Sequence, residues 1–302
     1  MAAFPKSTVI LSGLCIFLLA AALWAAFKAW HYTPVASIPQ PGGSTLDIGL
    51  NLSEREPQDK TFDAASAVLV DMTDKRIMFQ QNAFERRPIA SISKLMTAMV
   101  ALDYGVHWDD KANILREEYV QGGQLMLFNG EEVTMRDLFN ASLLGSANNA
   151  TMAYVRQLGI PTAQFIQAMN RKAVELGLEQ TEFYDVTGLN PKNVSTAYEA
   201  ALLARNAFQQ YPEISKATSQ KEYSFAVLNS GREHTIRNTN KLVSEFGDAT
   251  AGTKTGYLYE ASYCLVMAGS GELGNRVAVI LGSPSENGNF GDMRRLLHLA
   301  VQ

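Results

Sequence analysis

Apolar and charged residues are distributed differently at the start of the chain and in the rest of it. Residues 8–27 contain no charged side chain and lie between Lys6 and Lys28, and this length suffices for a helix across a bilayer. A cleaved signal peptide is the rival interpretation, but its apolar region is usually shorter. We therefore predict that residues 1–30 are a membrane anchor.

The next segment has the composition of a linker. Residues 31–62 are rich in proline, glycine, serine and charged residues, and a flexible chain of that length spans on the order of 30 Å. We predict a tether over 31–62, followed by a globular domain over 63–302.

The globular domain alternates between strand-like and helical patterns. Residues 65–80 predict a β-hairpin. Helices are predicted at 91–104, 135–144, 147–158, 162–176 and 291–301, and further strands at 223–228, 234–239, 261–269 and 275–282. Strands near both ends of the domain predict an α/β fold, in which the terminal segments form one mostly antiparallel sheet that packs against a helical subdomain.

The predicted helix at 91–104 is amphipathic but has an unusual first turn. Its apolar residues recur at helical spacing, at Ile92, Leu95, Met96 and Met99. After Ser91, an acid at position 94 would close a capping box and suit the positive end of the helix dipole. The sequence has Lys94 instead, so the lysine is either a solvated surface residue or needed beside the serine.

Composition removes several functional classes. With 47% hydrophobic and 19% charged residues the chain is not disordered, and a net charge of −4 without a basic run gives no sign of nucleic-acid binding. Cys15 and Cys264 are too far apart in sequence to suggest a disulfide framework. The four histidines lie singly, so we predict no metal site and no metal cofactor.

Ser91 and Lys94 form a candidate nucleophile and base. Their side chains emerge on one face of a helix start, so the amine can reach the hydroxyl. A lysine can accept a serine's proton if burial or a second nearby cation lowers its pKa. The first backbone N–H groups of the helix, including that of Ser91, also point to where an oxyanion would develop.

Two other segments carry related chemistry. Ser146 and Asn148 follow a predicted helix that ends at Gly145, where a capping serine and a turn asparagine would be ordinary. Lys254, Thr255 and Gly256 come directly before a predicted strand, where a polar turn would be ordinary. Each motif is weak by itself, because one S-x-x-K is expected by chance in roughly every chain of this length.

In this order, the three motifs resemble those of the penicillin-binding D-alanyl-D-alanine peptidases, which are relatives of the class A β-lactamases. The likeness extends to the segments "RPIASISKLMTAMVALD", "FYDVTGLNPKNVSTAYEAALLA", "RNTNKLV" and "GTKTGY", and so to nearly all of residues 62–301. The resemblance implies a β-lactamase/transpeptidase-like fold.

The resemblance also implies the role of each motif residue. Ser91 would be the acyl-accepting nucleophile, Lys94 its base and Ser146 a proton relay to the leaving group. Asn148 would hold the substrate's peptide amide.

In the same way, the third motif would bind the substrate's C-terminal end. Lys254 and Thr255 would contact its carboxyl group, and Lys254 would be the second cation that keeps Lys94 neutral. Gly256 would let the substrate backbone approach closely, and the N–H of Tyr257 would complete the oxyanion hole with that of Ser91.

The implied enzyme is a serine-type D-alanyl-D-alanine carboxypeptidase that acts on peptidoglycan stem peptides, is inhibited by β-lactams and needs no cofactor. It would face the cell wall from the bacterial cytoplasmic membrane. A β-lactamase would need a deacylating glutamate, which "YDVTGLN" lacks. A non-catalytic β-lactam sensor remains a second alternative.

A third alternative is a D,D-endopeptidase that cuts peptidoglycan cross-links. The family's carboxypeptidases commonly have an arginine directly before the Phe-rich start of the last helix, where it helps to hold the substrate's terminal carboxylate. The corresponding residue here is Asn289, before Phe290. An amide gives no charge-assisted contact, so we expect a weaker preference for a free C-terminal D-alanine.

Overall fold

The computed structural model describes residues 62–299. The predicted anchor and almost all of the predicted tether lie outside these residues. Among the described residues, no helix is both long and apolar enough to cross a bilayer.

Eleven strands and eight helices are formed by the described residues. The strands are β1 (Ser66–Asp71), β2 (Ile77–Gln81), β3 (Arg87–Pro88), β4 (Lys111–Ala112), β5 (Val133–Thr134), β6 (Val194–Ser195), β7 (Glu222–Ala226), β8 (Glu233–Arg237), β9 (Thr250–Leu258), β10 (Ser262–Gly269) and β11 (Arg276–Ser283). The helices are α1 (Ser93–Tyr104), α2 (Met135–Leu143), α3 (Asn148–Gln157), α4 (Thr162–Glu175), α5 (Ala197–Gln210), α6 (Pro212–Ser219), α7 (Leu242–Phe246) and α8 (Glu286–His298).

The main sheet joins the two ends of the domain, as predicted. It has five strands in the order β2-β1-β11-β10-β9, and every neighbouring pair is antiparallel. Strand β1 is apolar on both faces because both are covered. Val68 and Val70 belong to the core shared with the helical part, whereas Ala67 and Leu69 pack in a second core with α8.

Helix α1 runs through the middle of the helical part. We predicted an amphipathic helix here, but every residue from Ser93 to Ala101 is buried. The prediction of a polar face was wrong because α2, α4, α5 and α6 all pack around this helix. A lysine in its first turn therefore lies inside the protein.

Other elements differ from the sequence predictions in ways that affect the site. The K-T-G motif lies inside β9 rather than before a strand, and β9 is an edge of the sheet. Helices α5 and α6 were not predicted. Helix α8 begins five residues before the predicted helix at 291–301, because the Ser285 side chain accepts a hydrogen bond from the N–H of Gly288 and caps it.

Candidate active site

The three predicted motifs meet at one pocket of about 280 Å³. Six of the eight predicted site residues line it, namely Ser91, Ser146, Asn148, Thr255, Gly256 and Tyr257. The other two, Lys94 and Lys254, lie beneath the pocket and are 0% and 1% exposed. The fold therefore brings together all eight residues that the sequence singled out.

Ser91 lies in a tight and strained turn at the pocket floor. A 3₁₀ turn, Ala90–Ile92, leads into α1, and Ala90 has a φ of +46°, which is uncommon for a residue with a side chain. Strand β9 passes close by, since a Cβ atom at Gly256 would lie 3.0 Å from the Ser91 nitrogen. The absence of a side chain at Gly256 is thus explained by packing against the nucleophile's own backbone.

The Lys94 amine is held by three oxygen atoms. Its Nζ lies 2.9 Å from Ser91 Oγ, 2.7 Å from Asn148 Oδ1 and 2.6 Å from the carbonyl oxygen of Thr187. An ammonium group would donate to all three. A neutral amine has two N–H donors for Asn148 and Thr187, and its lone pair is left to accept the Ser91 hydroxyl.

Burial tunes this amine toward neutrality. It lowers the pKa of Lys94 to about 7, while the charge of Asp185 acts in the opposite direction. We predicted that burial or a second nearby cation, Lys254, would lower this pKa. Burial is the leading cause, because both lysines are almost fully enclosed. The repulsion between the two lysines further lowers the pKa of Lys254.

A second serine–lysine pair lies at the same pocket. Lys254 Nζ lies 2.8 Å from Ser146 Oγ and 2.9 Å from the carbonyl oxygen of Thr255. Ser146 has a φ of +56°, so this serine is also held in a strained turn, between α2 and α3. Its hydroxyl therefore has an amine within proton-transfer distance.

Asn148 and Thr255 make contacts that the sequence did not predict. The Asn148 Nδ2 group donates a hydrogen bond of 2.8 Å to the carbonyl oxygen of Gln121, while Asn148 Oδ1 accepts the bond from Lys94. Asn148 therefore orients the Lys94 amine. Its role in holding a substrate amide stays a prediction. Thr255 Oγ1 lies 2.5 Å from Thr239 Oγ1, and Thr239 also lines the pocket.

Asp185 is the carboxylate in the loop where a β-lactamase would need its deacylating glutamate. Both of its oxygens accept hydrogen bonds from the loop itself, which leaves no free lone pair directed at a water molecule. The residue is therefore not placed to act as a general base. This disfavours the β-lactamase alternative.

A serine hydroxyl bonded to a buried lysine of near-neutral pKa is the arrangement expected of a serine hydrolase in which lysine takes the place of a histidine base. A sequence profile of D-alanyl-D-alanine carboxypeptidases matches residues 53–285, and the chain belongs to this family. The match covers all three motifs.

Individual relatives include both carboxypeptidases and endopeptidases. The chain is 31% identical over 274 residues to the D-alanyl-D-alanine carboxypeptidase DacF of Bacillus subtilis, which covers 85% of this chain and 70% of that protein. It is 35% identical over 206 residues to a D-alanyl-D-alanine endopeptidase of Escherichia coli, which covers 68% of this chain and 66% of that protein.

A solved structure has the same fold. It is penicillin-binding protein D2 of Listeria monocytogenes in a cefotaxime-bound form, with a TM-score of 0.71, 26% identity, and coverage of 81% of this chain and 99% of that one. The predicted family, fold class and enzyme class are confirmed: the chain is a serine-type D-Ala-D-Ala peptidase of the cell envelope with a β-lactamase/transpeptidase-like fold.

Proposed function

We propose that the chain hydrolyses the D-Ala–D-Ala bond of peptidoglycan stem peptides through an acyl-enzyme on Ser91. The observation that carries this proposal is the Lys94 amine, which is buried, has a near-neutral pKa and lies 2.9 Å from the Ser91 hydroxyl. Such an amine can take the hydroxyl proton as the oxygen attacks a carbonyl carbon.

In the proposed acylation, the Ser91 oxygen bonds to the carbonyl carbon of the penultimate D-alanine while its proton passes to Lys94. The N–H groups of Ser91 and Tyr257 stabilise the oxyanion. The C–N bond then breaks, and the leaving amine receives a proton through the Ser146 hydroxyl, which its bond to Lys254 orients. Water hydrolyses the ester in a second cycle of the same groups, without a cofactor.

The test is turnover of defined stem peptides by the full chain. We expect release of one D-alanine per pentapeptide, detected by mass, and inhibition of that release by a β-lactam. Binding of the β-lactam without any product would instead favour the non-catalytic sensor.

Endopeptidase activity on cross-linked stems is a second candidate, favoured by the wall of the pocket formed by α8. Asn289 is 2% exposed and lines the pocket, and its Oδ1 has no hydrogen-bond partner among the described residues. Glu286 lines the same wall, and no lysine or arginine is among the described residues that line the pocket. The neighbouring Lys241 is already paired with Glu286 at 3.2 Å, so this wall offers a free carboxylate little net positive charge. A peptide N–H, in contrast, could donate to Asn289.

Comparison of pentapeptide monomers with cross-linked dimers tests this second candidate. Asn289→Arg would introduce a charge-assisted contact with a terminal carboxylate, and we expect it to raise the ratio of D-alanine release to dimer cleavage about tenfold. Because Asn289 is buried, Glu286→Gln provides a milder second variant with a smaller change in the same direction. The endopeptidase preference would be excluded if the unmodified chain released D-alanine efficiently but left the dimers intact, and if neither variant raised the ratio of D-alanine release to dimer cleavage.

We also propose that residues 1–30 remain in the mature protein as an anchor that holds the domain on the cell-wall side of the cytoplasmic membrane. The charge-free run at 8–27 supports an anchor, and the substrate supports the orientation. N-terminal sequencing of the membrane-extracted protein is expected to start at Met1 or Ala2. A start beyond Ala22 would contradict the anchor and favour a cleaved signal peptide.

A further inference from the structure

The loop behind the nucleophile is organised by one carboxylate. Asp185 accepts hydrogen bonds from three backbone N–H groups and two side chains, namely those of Gly188 (2.7 Å), Leu189 (3.0 Å), Asn190 (3.0 Å), Thr187 Oγ1 (3.0 Å) and Asn193 Nδ2 (2.9 Å). Five donors on two oxygens fix the path of residues 185–190. Because the acceptor is a carboxylate, these hydrogen bonds are stronger than bonds between neutral groups.

This loop makes two direct contacts with the catalytic groups. The carbonyl oxygen of Thr187 accepts the 2.6 Å hydrogen bond from Lys94 Nζ. Gly188 lies against the strained turn, since a Cβ atom there would come within 2.0 Å of the Ala90 carbonyl oxygen. Thr187 and Gly188 both lie within the segment that Asp185 fixes. The carboxylate therefore holds in place the two residues that contact Lys94 and the turn before Ser91.

The same carboxylate has an electrostatic connection with the amine. Among the described residues, the charged groups that act on the two buried lysines are the lysines themselves, from α1 and β9, and Asp185 from the loop. In a buried site a nearby negative charge favours the protonated amine. Without it, Lys94 would lose its proton at a lower pH.

We propose that Asp185 is a positioning residue that aims the Lys94 amine at Ser91 through the Thr187 carbonyl, and that its charge raises the pH above which acylation becomes fast. The proposal rests on the proposed role of Lys94 as the base for Ser91. It gives Asp185 no contact with the substrate and no proton to transfer, because its oxygens are occupied by the loop.

The test is the pH dependence of acylation of the full chain by a chromogenic cephalosporin between about pH 5 and 9. In Asp185→Asn, the amide oxygen can still accept from the loop, but the charge is lost. We expect the maximal acylation rate to fall about tenfold and the acidic limb of the profile to move to lower pH. Asp185→Glu keeps the charge with altered geometry, so its rate should fall while its acidic limb stays within about 0.3 pH units of that of the unmodified chain.

Asp74→Asn is the matched control, since this exposed carboxylate lies in the β1–β2 turn and should leave the profile unchanged. A thermal melt of each variant separates unfolding from a change in the chemistry. An acidic limb that does not move in Asp185→Asn would overturn the electrostatic role, and an unchanged maximal rate would overturn the positioning role. Failure of the unmodified chain to be acylated would instead refute the proposed function.

Discussion

Incubation of the full chain with a penicillin is expected to increase its mass by one antibiotic molecule, and Ser91→Ala is expected to abolish this increase. The Lys94 amine and the backbone N–H groups can assist attack only if a hydroxyl is present to form the bond. The loss of acylation should therefore exceed about 10³-fold, as is usual when a nucleophile is removed from a site whose groups act together. Intact-protein mass spectrometry measures the adduct.

A matched control distinguishes this loss from a general effect of removing a serine. Ser224 is exposed on the β7–β8 hairpin, where its hydroxyl contacts Thr235, and Ser224→Ala should be acylated normally. Peptide mapping should place the adduct on the segment that contains Ser91. An adduct that persists in Ser91→Ala would refute the assignment of the nucleophile.

Replacement of Lys94 by methionine is expected to reduce acylation by about 10³-fold or more, the upper part of the range for loss of a base that acts with its nucleophile. Methionine has a similar length, and its apolar side chain suits the buried space beside the core residues around α1. It cannot accept the Ser91 proton. Lys94→Arg should be equally slow, because a guanidinium does not lose its proton in this pH range.

The pH profile of the unmodified chain tests the same role of Lys94. The base must be neutral, so acylation should be slow in acid, rise through a midpoint near the pKa of about 7, and level off at higher pH. Lys216→Met replaces an exposed lysine on α6 and should leave the rate and the midpoint unchanged. A flat profile, or Lys94→Met acylation within tenfold of normal, would show that another group is the base.

The sequence predicted which residues meet at the site better than it predicted the structure around them. The motif residues could be found because reactive side chains recur at short, recognisable spacings, such as Ser91 and Lys94, which are three positions apart. The sheet could be predicted because β1 and β11 are continuous apolar runs. Neither signal shows that α1 is enclosed on every side, since this depends on helices that are distant in the chain.

Asp185 shows most clearly what a local pattern cannot provide. An aspartate with a threonine two positions later and a glycine three positions later predicts a tight, side-chain-bonded turn, so the loop's own hydrogen bonds could have been expected. The role proposed for Asp185 depends on the contact between Thr187 and Lys94, which are 93 positions apart. The bond between Ser146 and Lys254 spans 108 positions and is likewise invisible in either motif alone.

The position of β9 at the edge of the main sheet has a consequence for self-association. An unpaired strand edge can recruit the strand of another molecule and start aggregation. Here α6 packs along β9, and its Ser215 hydroxyl donates to the Ala251 carbonyl oxygen, while Thr255 to Tyr257 border the pocket. The uncovered edge is therefore only a few residues long, enough to pair with a short extended peptide but too short to template a second sheet.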